Sequence, residues 1–168
     1  MIRQLALLIA AMTLLSACGT RDADPAPASD DPYFDVPLFP GETEEMRVLI
    51  NKYAQVHGIP AELLHKVIQR ESDYRAGARN GPYWGLMQIL PATAGQMGHQ
   101  GPPETLLDAE TNLIYAGRYL RGAYLVSGGD IDDAVMWYAR GYYYEARDNC
   151  LLIETGLLDR EIARHCRS

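Results

Sequence analysis

One discontinuity governs what this chain can fold into: the residue pattern changes completely near position 41. Five of the ten prolines, Pro25, Pro27, Pro32, Pro37 and Pro40, fall between residues 19 and 41, interleaved with Asp22, Asp24, Asp30, Asp31 and Asp35. Proline blocks helix interiors and central strands, and like charges repel, so this stretch is expected to be a disordered, extended linker. At about 3.1 Å per residue it would reach on the order of 70 Å. Residues 42–168 are then left to bury a core, and a hydrophobic content of 48% is enough for one domain of that size.

From residue 42 the apolar positions recur at helical spacing. Thr43 is a suitable cap, followed by Met46, Leu49, Ile50 and Tyr53 on one face. Gly58 ends that helix and Pro60 opens the next, where its missing N–H costs nothing. Leu64, Val67 and Ile68 form the second stripe. A third helix is expected after Asp108, with Leu113, Ala116, Gly117 and Leu120 inward; its small residues allow close approach of a neighbour. Asp130 caps a fourth, whose first turn carries Asp132 and Asp133 as the helix dipole prefers. No convincing run alternates with period two, and Tyr142 to Tyr144 is ambiguous. The expected fold class is mainly α.

The formal net charge of −7 argues against a nucleic-acid partner, whose phosphates reward a basic face. It also means that any anionic polymer must be held by specific groove contacts rather than by bulk attraction. Before the linker, Arg3 and the apolar run Leu5 to Leu15 read as an export signal, too short to span a bilayer as a mature helix. The run ends in Leu15-Ser16-Ala17-Cys18, which resembles the lipobox of bacterial lipoproteins. That resemblance implies a signal peptide over residues 1–17, a lipidated Cys18 as the first mature residue, and membrane attachment through it. Gly19, where inner-membrane lipoproteins carry aspartate, implies the outer membrane, facing the periplasm. With Cys18 lipidated, Cys150 and Cys166 remain as an even pair, and in an exported protein a disulfide between them is expected. Such a bridge stabilises by roughly 3 kcal/mol in the chain-entropy picture.

The chemistry begins at Glu71. The stripe of Leu64, Val67 and Ile68 continues at this position, three residues after Ile68 and four after Val67, so a carboxylate falls on an inward face. Burial raises a carboxyl pKa, and an acid still protonated near neutrality is what a glycosidic oxygen needs from its proton donor. A lone glutamate near a helix end is also compatible with a solvated side chain. Other constellations are missing from the sequence. His57, His65, His99 and His165 have no metal-ligand spacing, and there is neither a Gly-x-Ser-x-Gly elbow nor a phosphate-cradling glycine loop with its lysine. No metal or cofactor is expected.

Several further segments fall in order around Glu71. Glu71-Ser72 is followed by Gly85-Leu86-Met87-Gln88-Ile89, then Pro91-Ala92-Thr93-Ala94, then Asp108, Asn112, Gly117, Tyr119 and Leu120, and finally Ala134, Tyr138 and Gly141. Together, over roughly residues 46 to 145, they resemble the lysozyme-like soluble lytic transglycosylase family. The resemblance implies a lysozyme-like helical domain acting on the glycan strands of peptidoglycan. It also implies a single glutamate, here Glu71, that first protonates the leaving oxygen. The same glutamate then takes the proton of the muramoyl C6 hydroxyl, which closes a 1,6-anhydro ring without water. Retaining lysozymes need a second carboxylate. None is present in the matching motifs, and Asp73, two residues on, would face away on a continuing helix.

Roles for the neighbours come from the same resemblance, each beside a plainer reading. Ser72 would bind sugar or orient Glu71, or else bond its own backbone as helix-end serines do. Gln88 would hold a sugar amide or hydroxyl, or be a polar loop residue. Met87 would wall the groove, or be core. Tyr138 would reach the carboxylate or the sugar, or be a core tyrosine. For Tyr83, Trp84, Trp137 and residues 142–144, core packing is the stronger expectation.

This chain departs from the family at Tyr138-Ala139-Arg140-Gly141, where the family usually has Tyr-Asn-Ala-Gly, and Arg140 could meet a carboxylate of the peptide stem. It also carries Asn80-Gly81-Pro82 in place of a serine-rich loop, and the segment after 145 has no assigned counterpart. Two alternatives stand beside the transglycosylase: a muramidase in which water attacks, and a non-catalytic wall-binding lipoprotein with a spent site. The sequence names no protein partner.

Overall fold

The structure, a computed structural model, describes residues 36–167. Cys18, the expected signal peptide and most of the expected linker lie outside these residues. The domain is mainly α, as its periodicity implies. It comprises α1 (Glu44–His57), α2 (Ala61–Glu71), a two-stranded antiparallel ribbon of β1 (Arg79–Asn80) and β2 (Tyr83–Trp84), α3 (Pro91–Gln96), α4 (Ala109–Val126), α5 (Ile131–Arg140) and α6 (Tyr143–Asp148). Short 3₁₀ turns cover Pro103–Leu107 and Arg164–Cys166.

The helix boundaries follow local chemistry. Thr43 accepts from the Met46 N–H, Asp108 from Thr111 and Asp130 from Asp133, so three helix starts have their free donors capped by a side chain. Gly58 closes α1 in the left-handed conformation at φ 63°. The ambiguous tyrosine run resolves as helix: Tyr142 precedes α6, which holds Tyr143 and Tyr144.

Leu63, Leu64, Val67 and Ile68 of α2 are all at most 1% exposed, and α2 packs against α1 and α5. Burying each such side chain contributes about 1.5–3 kcal/mol. The long α4 packs against α1, α3 and α5, again through a fully buried face of Leu113, Ala116, Leu120 and Ala123. Its small residues permit the close approach expected of them. A Cβ on Gly117 would sit 2.4 Å from the His57 ring, and one on Gly122 would sit 2.2 Å from the Tyr142 hydroxyl.

Two features extend beyond the expectation. Packing begins before residue 42: the Phe39 ring lies against the core, and Arg47 donates to the Val36 carbonyl at 2.9 Å. An aromatic residue among the prolines gives this stretch something to bury. After α6 no further α-helix occurs among the described residues. Cys150 and Cys166 are joined by a disulfide with their Cα atoms 5.4 Å apart, and Leu152 is fully buried beside it in sequence.

Candidate active site

Glu71 is the last residue of α2. The helix stops there because Asp73 and Tyr74 both take left-handed backbone conformations, at φ 52° and 61°. Such angles are uncommon for non-glycine residues and persist only where the surroundings impose them. Ser72, 2% exposed, donates its hydroxyl to the Leu86 carbonyl at 2.6 Å and so pins the helix end to the Gly85–Ile89 loop. Its hydroxyl also lies 3.5 Å from the Ile68 carbonyl.

That loop is built by backbone constraints. Gly85 has φ 80°, and a Cβ there would fall 2.0 Å from the Leu106 carbonyl oxygen and 2.2 Å from the Asn112 amide. The fully buried Asn112 stitches the loop to α4. Its amide donates to Trp84 O at 3.0 Å and Leu106 O at 2.8 Å, and its carbonyl accepts from Met87 N at 2.9 Å. Gln88 then turns left-handed at φ 50° and donates to Gly85 O at 2.8 Å and Ala78 O at 3.1 Å. Its carbonyl oxygen Oε1 is buried with no hydrogen-bond partner among the described residues. A buried acceptor without a donor costs stability and is ready for a ligand N–H or O–H.

Glu71, Arg70, Asn80, Tyr83, Gln88, Tyr138 and Ala139 line a groove of about 300 Å³. A second hollow of about 260 Å³ shares Tyr83, Gln88, Tyr138 and Ala139 and reaches Thr93, Tyr119 and Arg140. Glu71 is the one carboxylate among the residues lining either space. Its side chain is 24% exposed, and the nearest cation, Arg70 Nε, is 3.6 Å away. Burial pushes its carboxyl above the ordinary value, opposed by the charge of Arg70.

The expected site residues divide. Glu71, Gln88 and Tyr138 come together on the groove wall. Ser72 and Met87 lie beneath it: Met87 is fully buried, and the Ser72 hydroxyl is engaged with the backbone. Tyr138 donates its hydroxyl to Met87 O at 2.9 Å, so the structure gives it a loop-holding bond where the sequence left carboxylate, sugar or core open. Burial raises the Tyr138 pKa well above normal, with the charges of Glu71 and Tyr119 adding to it, and this keeps it a donor.

A family model for the transglycosylase SLT domain matches residues 48–149, well over half of the chain. The protein belongs to that family. No solved structure matches it. The SLT region spans the whole groove, from α1 to the end of α6, and leaves Cys166 outside.

Some groove residues of this SLT domain were missed by sequence reasoning. Asn80 stands beside Gly81 (φ 57°) in the tight β1–β2 turn, and the Asn-Gly pair was the available signal. Core packing was expected for both Tyr83 and Trp84. It holds for Trp84, 7% exposed with the Arg79 guanidinium 3.8 Å above its ring, but Tyr83 is 43% exposed and lines both hollows. The two alternate across the short strand, so they point to opposite faces. Away from the groove, His165 lies with Cys150 and Cys166, but the two sulfurs are bonded to each other and cannot serve as thiolate ligands.

Proposed function

We propose that the protein is a peptidoglycan lytic transglycosylase that cleaves the β-1,4 bond between N-acetylmuramic acid and N-acetylglucosamine. Glu71, in its protonated form, gives its proton to the glycosidic oxygen as the C1–O bond of the muramoyl sugar breaks. The sugar's own N-acetyl oxygen stabilises the developing cation at C1. The resulting Glu71 carboxylate takes the proton of the C6 hydroxyl as O6 bonds to C1. The proton balance closes, no water is consumed, and the muramoyl end becomes a 1,6-anhydro ring. Gln88 Oε1 accepts a sugar N–H or O–H, and Tyr83 offers its exposed ring to a sugar face.

The observation that carries this reading is the lone carboxylate in the groove, half-buried and biased towards its protonated form. A retaining hydrolase would need a second carboxyl about 5–5.5 Å away and an inverting one a second at about 6.5–9.5 Å, whereas a single acid/base suffices when the substrate supplies its own nucleophile. The lipid anchor at Cys18 and attachment to the outer membrane, facing the periplasm, belong to the same proposal. They rest on the lipobox resemblance and the linker composition. A Cys18→Ser variant that still sediments with membranes would remove that part of it.

The catalytic test is mass spectrometry of fragments released from purified sacculi by a soluble form starting at Gly19. Products one water lighter than hydrolytic ones, ending in anhydro sugars, are expected. Reducing ends would mean a muramidase, and no release by a folded, sacculus-binding fragment would mean a binding protein.

A further inference from the structure

Next to the helix end that carries Glu71, among residues that do not line the groove, sits a buried polar cluster that the chemistry above does not use. Glu42 and Arg47 form a two-pronged ion pair, Nε to Oε1 at 2.6 Å and Nη2 to Oε2 at 2.7 Å, with side chains 0% and 5% exposed. Glu42 also accepts from the Phe39 N–H at 2.9 Å, and Arg47 donates to the Val36 carbonyl at 2.9 Å. The segment 36–42 is thereby folded onto α1 and held there. Its Phe39 ring then reaches α2 and the turn that follows Glu71. It lies 5.0 Å from the His65 ring and is stacked on Tyr74, with centroids 6.2 Å apart and planes 13° from parallel. His65 Nδ1 and the Tyr74 hydroxyl share a hydrogen bond of 2.7 Å, and Gln69 Nε2 approaches the same hydroxyl at 3.4 Å. Gly41, at φ 82°, lies so close to the Asp73 carbonyl that an added Cβ would be 3.0 Å from it.

Four of these contacts, from Phe39, His65, Gln69 and Gly41, fall on Asp73–Tyr74, the two consecutive left-handed residues that end the Glu71 helix. A bulky residue such as Tyr74 does not hold a positive φ unaided. The same helix end is also held by the Ser72 hydroxyl, which donates to Leu86 O, and by Arg75 Nε, which donates to Ser72 O at 2.9 Å. None of residues 36–42, His65 or Tyr74 lines the groove.

We propose that residues 36–42, with Arg47, His65 and Tyr74, form a clasp that positions the Glu71 carboxyl, so that the last stretch of the linker is a working part of the enzyme. These are positioning residues and touch no substrate. The inference rests on Glu71 being the acid/base of the proposed function. Releasing the clasp lets the turn relax and Glu71 move towards solvent. The ionisable groups facing Glu71 stay as they are: Arg70 on its own helix, Tyr83 from the ribbon and Tyr138 from α5.

The test compares the full chain with its Tyr74→Phe variant, which keeps the stacked ring and loses the hydroxyl. Phe39→Leu serves as a second variant from the clasp's other end, and Leu152→Ala as a control that loosens a buried site far along the chain. Two quantities are read: turnover on sacculi, and the titration of Glu71 followed by NMR of labelled glutamate without substrate. Tyr74→Phe and Phe39→Leu are expected to lower kcat by roughly tenfold, as small misplacements of a catalytic group do, with KM little changed. The Glu71 pKa should fall towards the ordinary carboxyl value, carrying the alkaline limb of the pH profile to lower pH. Leu152→Ala should lower Tm and move neither quantity. Wild-type kcat and titration in both clasp variants, or losses matching those of Leu152→Ala at equal Tm, overturn the clasp. A wild-type chain that releases no anhydro product, while its Glu71 titration still responds to Tyr74→Phe, would leave the clasp standing and remove the proposed reaction.

Discussion

Two glutamates, Glu42 just before α1 and Glu71 at the end of α2, carry opposite biases. Glu42 has a side chain with no exposure at all, yet its pKa is lowered. Burial alone would raise it, but the hydrogen bonds from Arg47 and from the Phe39 N–H, together with the charges of His65 and Arg47, outweigh that cost. Glu71 is more open, at 24%, yet its pKa is raised. It has a cation at 3.6 Å and, among the described residues, no donor at hydrogen-bond distance, so burial wins. The degree of burial therefore does not predict which carboxyl holds its proton; the partners do. The fold uses the hydrogen-bonded glutamate to fix its frame and leaves the one without such bonds for chemistry.

The sharpest break of this comparison is Glu71→Gln. It removes the proton and the base but keeps the shape, and product release from sacculi is expected to fall by about 10²–10⁴-fold. Stability should move the other way. A folded pKa raised above the unfolded value contributes stability at low pH that is lost as pH rises through the folded pKa. At neutral pH the charged Glu71 is therefore a burden, and Glu71→Gln should raise Tm slightly there and not in acid. An equal drop in Tm and activity would mean that Glu71 is structural.

The opposite pattern is expected of Glu42→Gln. It leaves Arg47 buried with half its partner, and breaking such a pair costs about 3–5 kcal/mol. Denaturant unfolding at pH 7 should show the loss. The lowered folded pKa of Glu42 means that the pair's contribution is present above the unfolded carboxyl pKa and disappears as pH falls through the folded one. The gap between wild type and Glu42→Gln should therefore close in acid, and a gap independent of pH would refute the assignment.

These two glutamates also mark what the sequence could convey. Glu71 was legible because it interrupts an apolar stripe at helical spacing, and the caps Thr43, Asp108 and Asp130 because each precedes its periodic run. Gln88 and Tyr138 were legible only through family motifs. Ser72 and Met87 belong to the same motifs yet face inward, because a motif records which residues occur together and not which way they point. Glu42 was invisible as a buried group. It follows a proline-rich acidic stretch that composition assigns to solvent, and its partner Arg47 lies five residues away, off the local spacings that flag an ion pair. Tyr74 was equally hidden, since nothing local to it announces a positive φ.

A third region sets stability against chemistry from a distance. The Cys150–Cys166 bond closes a 16-residue separation beyond the groove. Replacing both cysteines with serine should cost roughly 3 kcal/mol of unfolding free energy. Turnover per folded molecule should stay unchanged, because neither cysteine nor His165 lines the groove. A loss of turnover that exceeds the loss of folded protein would tie this segment to the site.

The smallest effect is expected at the groove's far end, where Arg140 borders the second hollow. Its recorded side-chain contact is with Met136 Sδ at 3.1 Å, and no ion pair involving it occurs among the described residues. The chain as a whole is acidic, so an anionic group on the substrate gains nothing from the overall field and must be met locally. Arg140 offers a planar pair of donors suited to a carboxylate, and the peptide stem of the muramoyl sugar supplies carboxylates at that range of the glycan. On stem-bearing strands Arg140→Ala is expected to slow cleavage only about two- to fivefold, the scale of an exposed, screened charge pair. On strands stripped of their stems by an amidase the variant should match the wild type, and added salt should shrink the difference. Equal slowing on both substrates would make Arg140 part of the sugar site, a second charged group, after Glu71, that the fold turns to the groove.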